Sequence, residues 1–281
     1  MTTDLGRAAR RLGATANLAH GFVYFAPEAA DAYRAVGLSD RQHYFASRAA
    51  PLGPVGPAVV EAAFFNFAPH RIGGALPSAW SVADPDTVQQ ARFEGVGAVF
   101  DRIGGIGLDL DERAEAESLL SGVIDGVDYG AKALAAANRA LRRPADSRVA
   151  LWQQVTVIRE WRGDAHNAVL TTTPVTAVEA LVLHAATGKV PVAALRDTRG
   201  WTDDQWMTAV RSLAARGLVD ESGAFTDEGR AFRAAIETRT DTACTPLIDA
   251  LGPESSDRLT ALLRQMGAHF SQSGLYAAFT S

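Results

Sequence analysis

Cysteine is nearly missing: Cys244 is the single thiol in 281 residues. One thiol leaves no partner for an internal disulfide and no thiolate set for a structural zinc site. Lysine is almost as scarce. Only Lys132 and Lys189 are lysines among 27 basic residues, and the abundant alanine beside so much arginine points to a GC-rich genome. A lone surface arginine therefore carries little meaning here. Long apolar runs are missing too, and none approaches the ~20 residues that cross a bilayer. The opening stretch MTTDLGRAARRLGATANLAHGF lacks the apolar core and cleavage pattern of a secretion signal, so a cytoplasmic protein with no membrane partner is expected. A net charge of −5 does not mark nucleic acid as an obligatory partner.

Strand signals are also scarce. Period-two alternation never persists, and Asn-Gly turns are absent. Helical spacing, by contrast, recurs along the chain. It predicts helices over about 3–25, from Pro27 through Tyr33, across VVEAAFFNF, and from Asp86 to Ile103. Others follow over about 111–125, 129–142 and 147–170, the last capped by Ser147. The glycines of GGIGLDLDE punctuate a connection and form no phosphate loop, because no GKS/T follows.

From about Thr176 to Arg239 the order of signals is that of a winged helix-turn-helix. VEALVLHAATG is followed by PVAALRDTRG, then by the amphipathic TDDQWMTAVRSLAARGLV, the turn DESGAF and the helix TDEGRAFRAAIETR. The expected fold class is all-α: a multi-helical N-terminal domain over 1–172, then a winged helix-turn-helix domain over 173–281. The second domain carries a small β-ribbon and a C-terminal helix that packs back or pairs with a second subunit.

In a DNA reader the start of the third helix enters the major groove. Here it carries Asp203 and Asp204, which would face phosphates. Between Glu179 and Asp241 there are eight basic and ten acidic residues, a poor balance for a module that neutralises phosphates. The same carboxylates also suit the positive end of a helix dipole behind a Thr202 cap. DNA binding and a packing or dimerising role stay open together.

Residues able to carry chemistry concentrate in ALWQQVTVIREWRGDAHNAVL, 150–170. Its apolar stripe of Leu151, Val155, Ile158 and Val169 continues onto Arg162 and His166, with Glu160 and Asp164 on a neighbouring face. Buried arginine and histidine need partners. In one reading Arg162 and His166 face a pocket and bind a polar or anionic molecule, oriented by Glu160. In the other, Gly163 ends a helix, Asp164 caps the next and Arg162 only pairs with a carboxylate. His20 and Tyr24, four apart, form a second polar pair that is either a satisfied core pair or part of a site. Arg48, close after His43 and Tyr44, and Asn66 within FFNF are further candidates for a pocket wall, and Asn66 equally for a structural cap at the Pro69 break. No histidine falls in HxxxH or HxxE spacing. A metal site would have to draw on distant residues such as His20, Glu160 and His166, and neither metal nor cofactor is expected.

The motifs VYFAPEA, YFASRAAPLGPV, FFNFAP, ALPSAW, REWRGDAH and RGLVDESGAFTDEGR together resemble a family of actinobacterial helix-turn-helix proteins, over nearly the whole chain. The C-terminal part is similar, more loosely, to the winged helix of MarR-type regulators. The resemblance implies DNA binding by fold. It places the family's polar positions on Tyr24, Arg48, Asn66, Glu160, Arg162, Asp164 and His166. At Trp161, where family members tend to have histidine, this chain departs from the pattern, so no histidine role carries over there.

Two functions are expected from these readings. The first is a small-molecule-binding, ligand-responsive transcription regulator, acting as a homodimer. The alternative is an enzyme with a buried Arg/His/Glu pocket that uses the winged helix to dimerise, with His166 as general acid or base, Glu160 orienting it and Arg162 steadying negative charge.

Overall fold

Residues 2–276 are described, with side chains from Asp4 onward, in a computed structural model. Among the described residues nine α-helices build the first part: α1 (Thr2–His20), α2 (Pro27–Ala35), α3 (Asp40–Ala49), α4 (Pro57–Phe64), α5 (Pro69–Gly73), α6 (Pro85–Arg102), α7 (Leu110–Gly126), α8 (Ala133–Arg139) and α9 (Ser147–Thr171). The helix-turn-helix region follows as α10 (Ala177–Ala185), α11 (Val192–Arg199), α12 (Asp203–Ala215) and α13 (Asp227–Ala243), and the chain closes with α14 (Thr245–Leu251) and α15 (Pro253–Gln272). The protein is all-α.

Local chemistry explains most of these starts. Proline occupies the first turn of α2, α4, α5, α6, α14 and α15, where its missing N–H costs nothing. Reciprocal capping boxes open α3 (Ser39, Gln42), α7 (Asp109, Glu112), α10 (Thr176, Glu179) and α12 (Thr202, Gln205). Asp146, rather than Ser147, caps α9 by accepting from the Arg148 N–H.

The α9 helix runs unbroken through Gly163, so the reading in which that glycine ends a helix is overturned. It is buried on most of its circumference, from Val149 to Leu170, because α1, α7, α8 and α13 pack around it. The apolar interior divides into two clusters. The larger gathers Leu12, Phe22, Phe100, Leu120, Trp152 and Ile158. The smaller, built on Leu183, Leu195, Trp206, Val210, Leu213 and Ile236, fills the helix-turn-helix region and meets α9 through Val169 and Leu170.

The second cluster does not extend to the C-terminus. Leu247, Leu259, Leu262, Met266 and Phe270 join the larger one, and α15 lies along α1. The helix-turn-helix region is thus an excursion from a helical body that the chain later rejoins.

The expected β-ribbon is corrected. Among the described residues it shrinks to one antiparallel bridge, Val219 with Phe225. The Asp220 carboxylate accepts from the backbone N–H of Ser222 and Ala224, and Thr226 already caps α13 through Gly229 N–H. The turn closes and the helix begins before a ladder can lengthen. Gly229 permits this, since a methyl there would lie 1.7 Å from the Leu218 carbonyl oxygen. Among the described residues, no helix is long and apolar enough to cross a membrane.

Candidate functional site

The candidate residues of α9 separate by face. Arg159, Arg162 and His166, spaced three and four apart, look onto a cleft; Glu160 looks into the interior; Asp164 turns toward α8. Helical geometry requires this split, since neighbours two apart lie on opposite sides.

Glu160 sits in a buried, doubly hydrogen-bonded ion pair. Arg48 donates through Nε and Nη2 to its two oxygens, at 3.0 and 2.9 Å, and Arg159 Nη1 lies 2.7 Å from Oε2. Burial opposes ionisation of Glu160, but the Arg159 and Arg48 charges outweigh it and hold the carboxyl well below its usual range. Arg48 itself rests on the Phe64 ring, 4.2 Å from its centroid, and donates weakly to Tyr44 Oη at 3.4 Å.

Beside this pair runs a chain of neutral hydrogen bonds. Thr156 Oγ1 donates to the Trp152 carbonyl at 3.0 Å, so His20 Nδ1, 3.0 Å away, must donate to Thr156. His20 Nε2 is then an acceptor for Tyr24 Oη at 3.1 Å. Full burial, reinforced by the Arg92 and Arg159 charges, holds the imidazole well below its ordinary pKa. The Tyr24 ring lies 4.9 Å from that of Tyr44, which completes a polar cluster of His20, Tyr24, Tyr44, Arg48 and Glu160. Arg92, buried at 1 % exposure, faces the same cluster over Trp152.

The cleft lies between α1 and α9 on one side and α10 and α13 on the other, with a volume of about 870 Å³, within the range of small-molecule sites. Six basic side chains line it (Arg10, Arg159, Arg162, Lys189, Arg230 and Arg233) against one carboxylate, Glu237. Glu237 and the adjacent Asp241 hold Arg162 at 3.4 and 3.3 Å, and Asp241 also takes Arg10 at 2.5 Å. Positive charge remains in excess. His166 Nδ1 is 2.9 Å from Thr240 Oγ1, whose own proton goes to the Ile236 carbonyl. His166 must therefore donate through Nδ1, leaving Nε2 as an acceptor at the cleft wall. Burial pushes its pKa down to about 4, with Glu237 opposing and Arg162 and Arg233 adding to the shift.

The remaining candidates have other placements. Asp164 accepts from the Ala135 N–H at 3.0 Å and burial pushes it up to about 6; it braces α8. Asn66 offers its backbone carbonyl to Trp201 Nε1 at 3.0 Å, and next to it the Ala68 N–H donates to the Arg199 carbonyl at 2.9 Å. These two bonds dock the turn between α11 and α12 onto the FFNFAP segment. Burial pushes the Cys244 thiol up to about 11, far from a nucleophile. No group of three or more metal-binding side chains is assembled among the described residues.

Arg159, Arg92 and Arg199 were not singled out by sequence. The i, i+3, i+7 spacing of Arg159, Arg162 and His166 could have revealed the first. Arg92 and Arg199 sit on helices without any such pattern, and only packing brings Arg199 over Phe67, at 4.7 Å. His184, on α10, also lines the cleft.

With the turn, the docked third helix and the cleft in place, one comparison decides the family: a helix-turn-helix family matches residues 9–277. The chain belongs to that helix-turn-helix family. No curated protein and no solved structure matches it. The family match spans the helical body as well as the helix-turn-helix region, so the two belong to one family unit, and DNA interaction enters as a suggestion carried by that family.

Proposed function

We propose that the protein is a ligand-responsive helix-turn-helix regulator whose effector is a small anionic molecule held in the arginine cleft. One observation carries this reading. The cleft has one wall from the helical body (Arg159, Arg162, His166) and the other from the helix-turn-helix region (His184, Lys189, Arg230, Arg233). An anion touching both walls stabilises the relative placement that forms them, which is the differential affinity that a population shift requires. The acceptor at His166 Nε2 favours an anion that also carries a hydroxyl or amide donor.

Arg159 connects the cleft to the interior, because the same guanidinium pairs with Glu160. From there the path continues through Arg48, Tyr44 and Phe67 to Arg199, at the end of α11. The output is DNA binding by a homodimer, two recognition helices being needed to read a two-half operator. The exposed Asp203 and Asp204 keep affinity for arbitrary duplex low.

The test is thermal shift of the full chain with a panel of hydroxy acids, phosphate esters and nucleotides, followed by gel shift at low salt with each compound that raises Tm. A Tm rise lost in Arg162→Gln, together with altered DNA affinity, is expected. Binding no tighter than random-duplex background under every condition removes the regulator.

His166 also favours a second reading, in which its free Nε2 acts as a general base on a substrate in the cleft. Glu160 takes no part in orienting it, being held by Arg48 and Arg159; Thr240 would do so. Turnover that survives His166→Ala rules this out.

A further inference from the structure

We propose that a separate chamber beside α2 and α3 is a binding site for a small organic carboxylate with a ring-sized body. The chamber has a volume of about 170 Å³ and counts the exposed Asp40 in its lining. A dry cavity of about 150 Å³ accepts benzene, so a single six-membered ring fits the space. Val23, Phe25, Ala26 and Ala30 give it an apolar side; Tyr33 and Ser47 give it a polar one.

Two buried groups at the polar side lack what they need. The Tyr33 hydroxyl, on a side chain only 4 % exposed, lines the chamber beside the Ser47 hydroxyl and makes no well-formed hydrogen bond. Behind the wall stands Arg92, 1 % exposed. It donates through Nη1 to the Ser47 carbonyl at 3.0 Å, while its Nε and Nη2 have no partner. Its cation rests on ring faces, 5.1 Å from the Trp152 centroid and 5.9 Å from that of Tyr24. Ring faces attract a cation weakly beside the cost of burying one. The buried carboxylate of the region, Glu160, is committed to Arg48 and Arg159. Asp40, also in the lining, is turned to Arg34 at 2.9 Å and stays 3.8 Å from His43.

Among the described residues the interior therefore carries a guanidinium without a paired carboxylate, next to a space edged by a phenol with no well-formed hydrogen bond. A carboxylate accepting from Tyr33 and Ser47 would stand in the field of Arg92 with its ring among the apolar residues. This chamber shares no lining residue with the arginine cleft.

The test uses calorimetric titration of the full chain with benzoate and with its neutral analogue benzamide. Saturable benzoate binding is expected, with benzamide at least about tenfold weaker. Arg92→Met should weaken benzoate about tenfold or more and Tyr33→Phe about threefold or more, whereas Arg162→Gln, in the cleft, should leave it unchanged. Unliganded Arg92→Met should melt at or above the parent protein, since it removes an uncompensated buried charge. Any of four results overturns the site: no saturation by about 10 mM, a Kd of ~0.01 M; equal affinity for benzamide; benzoate binding abolished by Arg162→Gln; or a Tm fall in Arg92→Met of more than about 5 °C. Loss of the cleft ligand in Arg162→Gln with benzoate binding intact separates the two sites.

Discussion

Arg162 crosses α1 directly over Gly13. A methyl group on Gly13 would lie 2.2 Å from Arg162 Cδ, a distance no side chain tolerates, so the glycine is the gap through which α9 reaches Glu237 and Asp241 on α13. One hydrogen atom on α1 thus sets whether Arg162 joins Arg10 in pairing the body with Asp241 across the cleft.

Gly13→Ala should therefore expel Arg162 and destabilise the protein by about 1–3 kcal/mol, the usual cost of overpacking. The double variant Gly13→Ala/Arg162→Ala should recover part of that loss, since the clash is gone. Urea unfolding of both variants checks this; a double variant no more stable than the single one refutes the clash.

Glu160→Gln should be far more damaging, by about 3–5 kcal/mol, because it leaves Arg48 buried without its carboxylate. Replacing the pair with apolar residues, Arg48→Met/Glu160→Leu, should restore much of the stability, as Arg159 can turn into the cleft. Denaturant midpoints followed by tryptophan fluorescence read both.

The pH dependence follows from His166. Its pKa is about 4 in the fold against 6.5 in the unfolded chain. Between those values the unfolded chain binds the extra proton, so stability rises with pH. It is fully present above 6.5 and is lost as pH falls toward 4. His20 is shifted in the same direction and Asp164 in the other, so the comparison must be with a variant. His166→Gln should flatten the stability profile between pH 4 and 6.5. An unchanged slope contradicts the burial assigned to this ring.

Asp203→Lys and Asp204→Lys should raise affinity for random duplex, each steepening the salt dependence by about one unit of slope. Asp203 is exposed and tied to Arg196, so its replacement also frees that arginine. Gel shifts across a salt series measure the slope; no change would mean that α12 does not face DNA.

Much of this arrangement could be seen along the chain. The capping boxes at Thr176 and Thr202 and the first-turn prolines are local chemistry, and helix starts followed from them. The His20–Tyr24 bond was visible as a four-residue spacing. The turn at 220–225 misled, because its composition suits a ribbon, while the length left before the Thr226 cap allows a single bridge. The grouping of Glu160 with Arg162 and His166 also broke down: the first binds Arg48 from α3 and the others meet α13. Sequence spacing showed that these residues shared a helix, but partners 74 to 112 positions away decided what each one does.

The chain alone determined the helical class, the helix-turn-helix order and the acidic start of its third helix, because capping, periodicity and charge act within a few residues. Tertiary structure decided where positive charge gathers: in the cleft, where six basic side chains meet one lining carboxylate, and in the interior at Arg92. Electrostatic balance in a buried space depends on which distant carboxylates come within a few ångströms, and packing sets that distance.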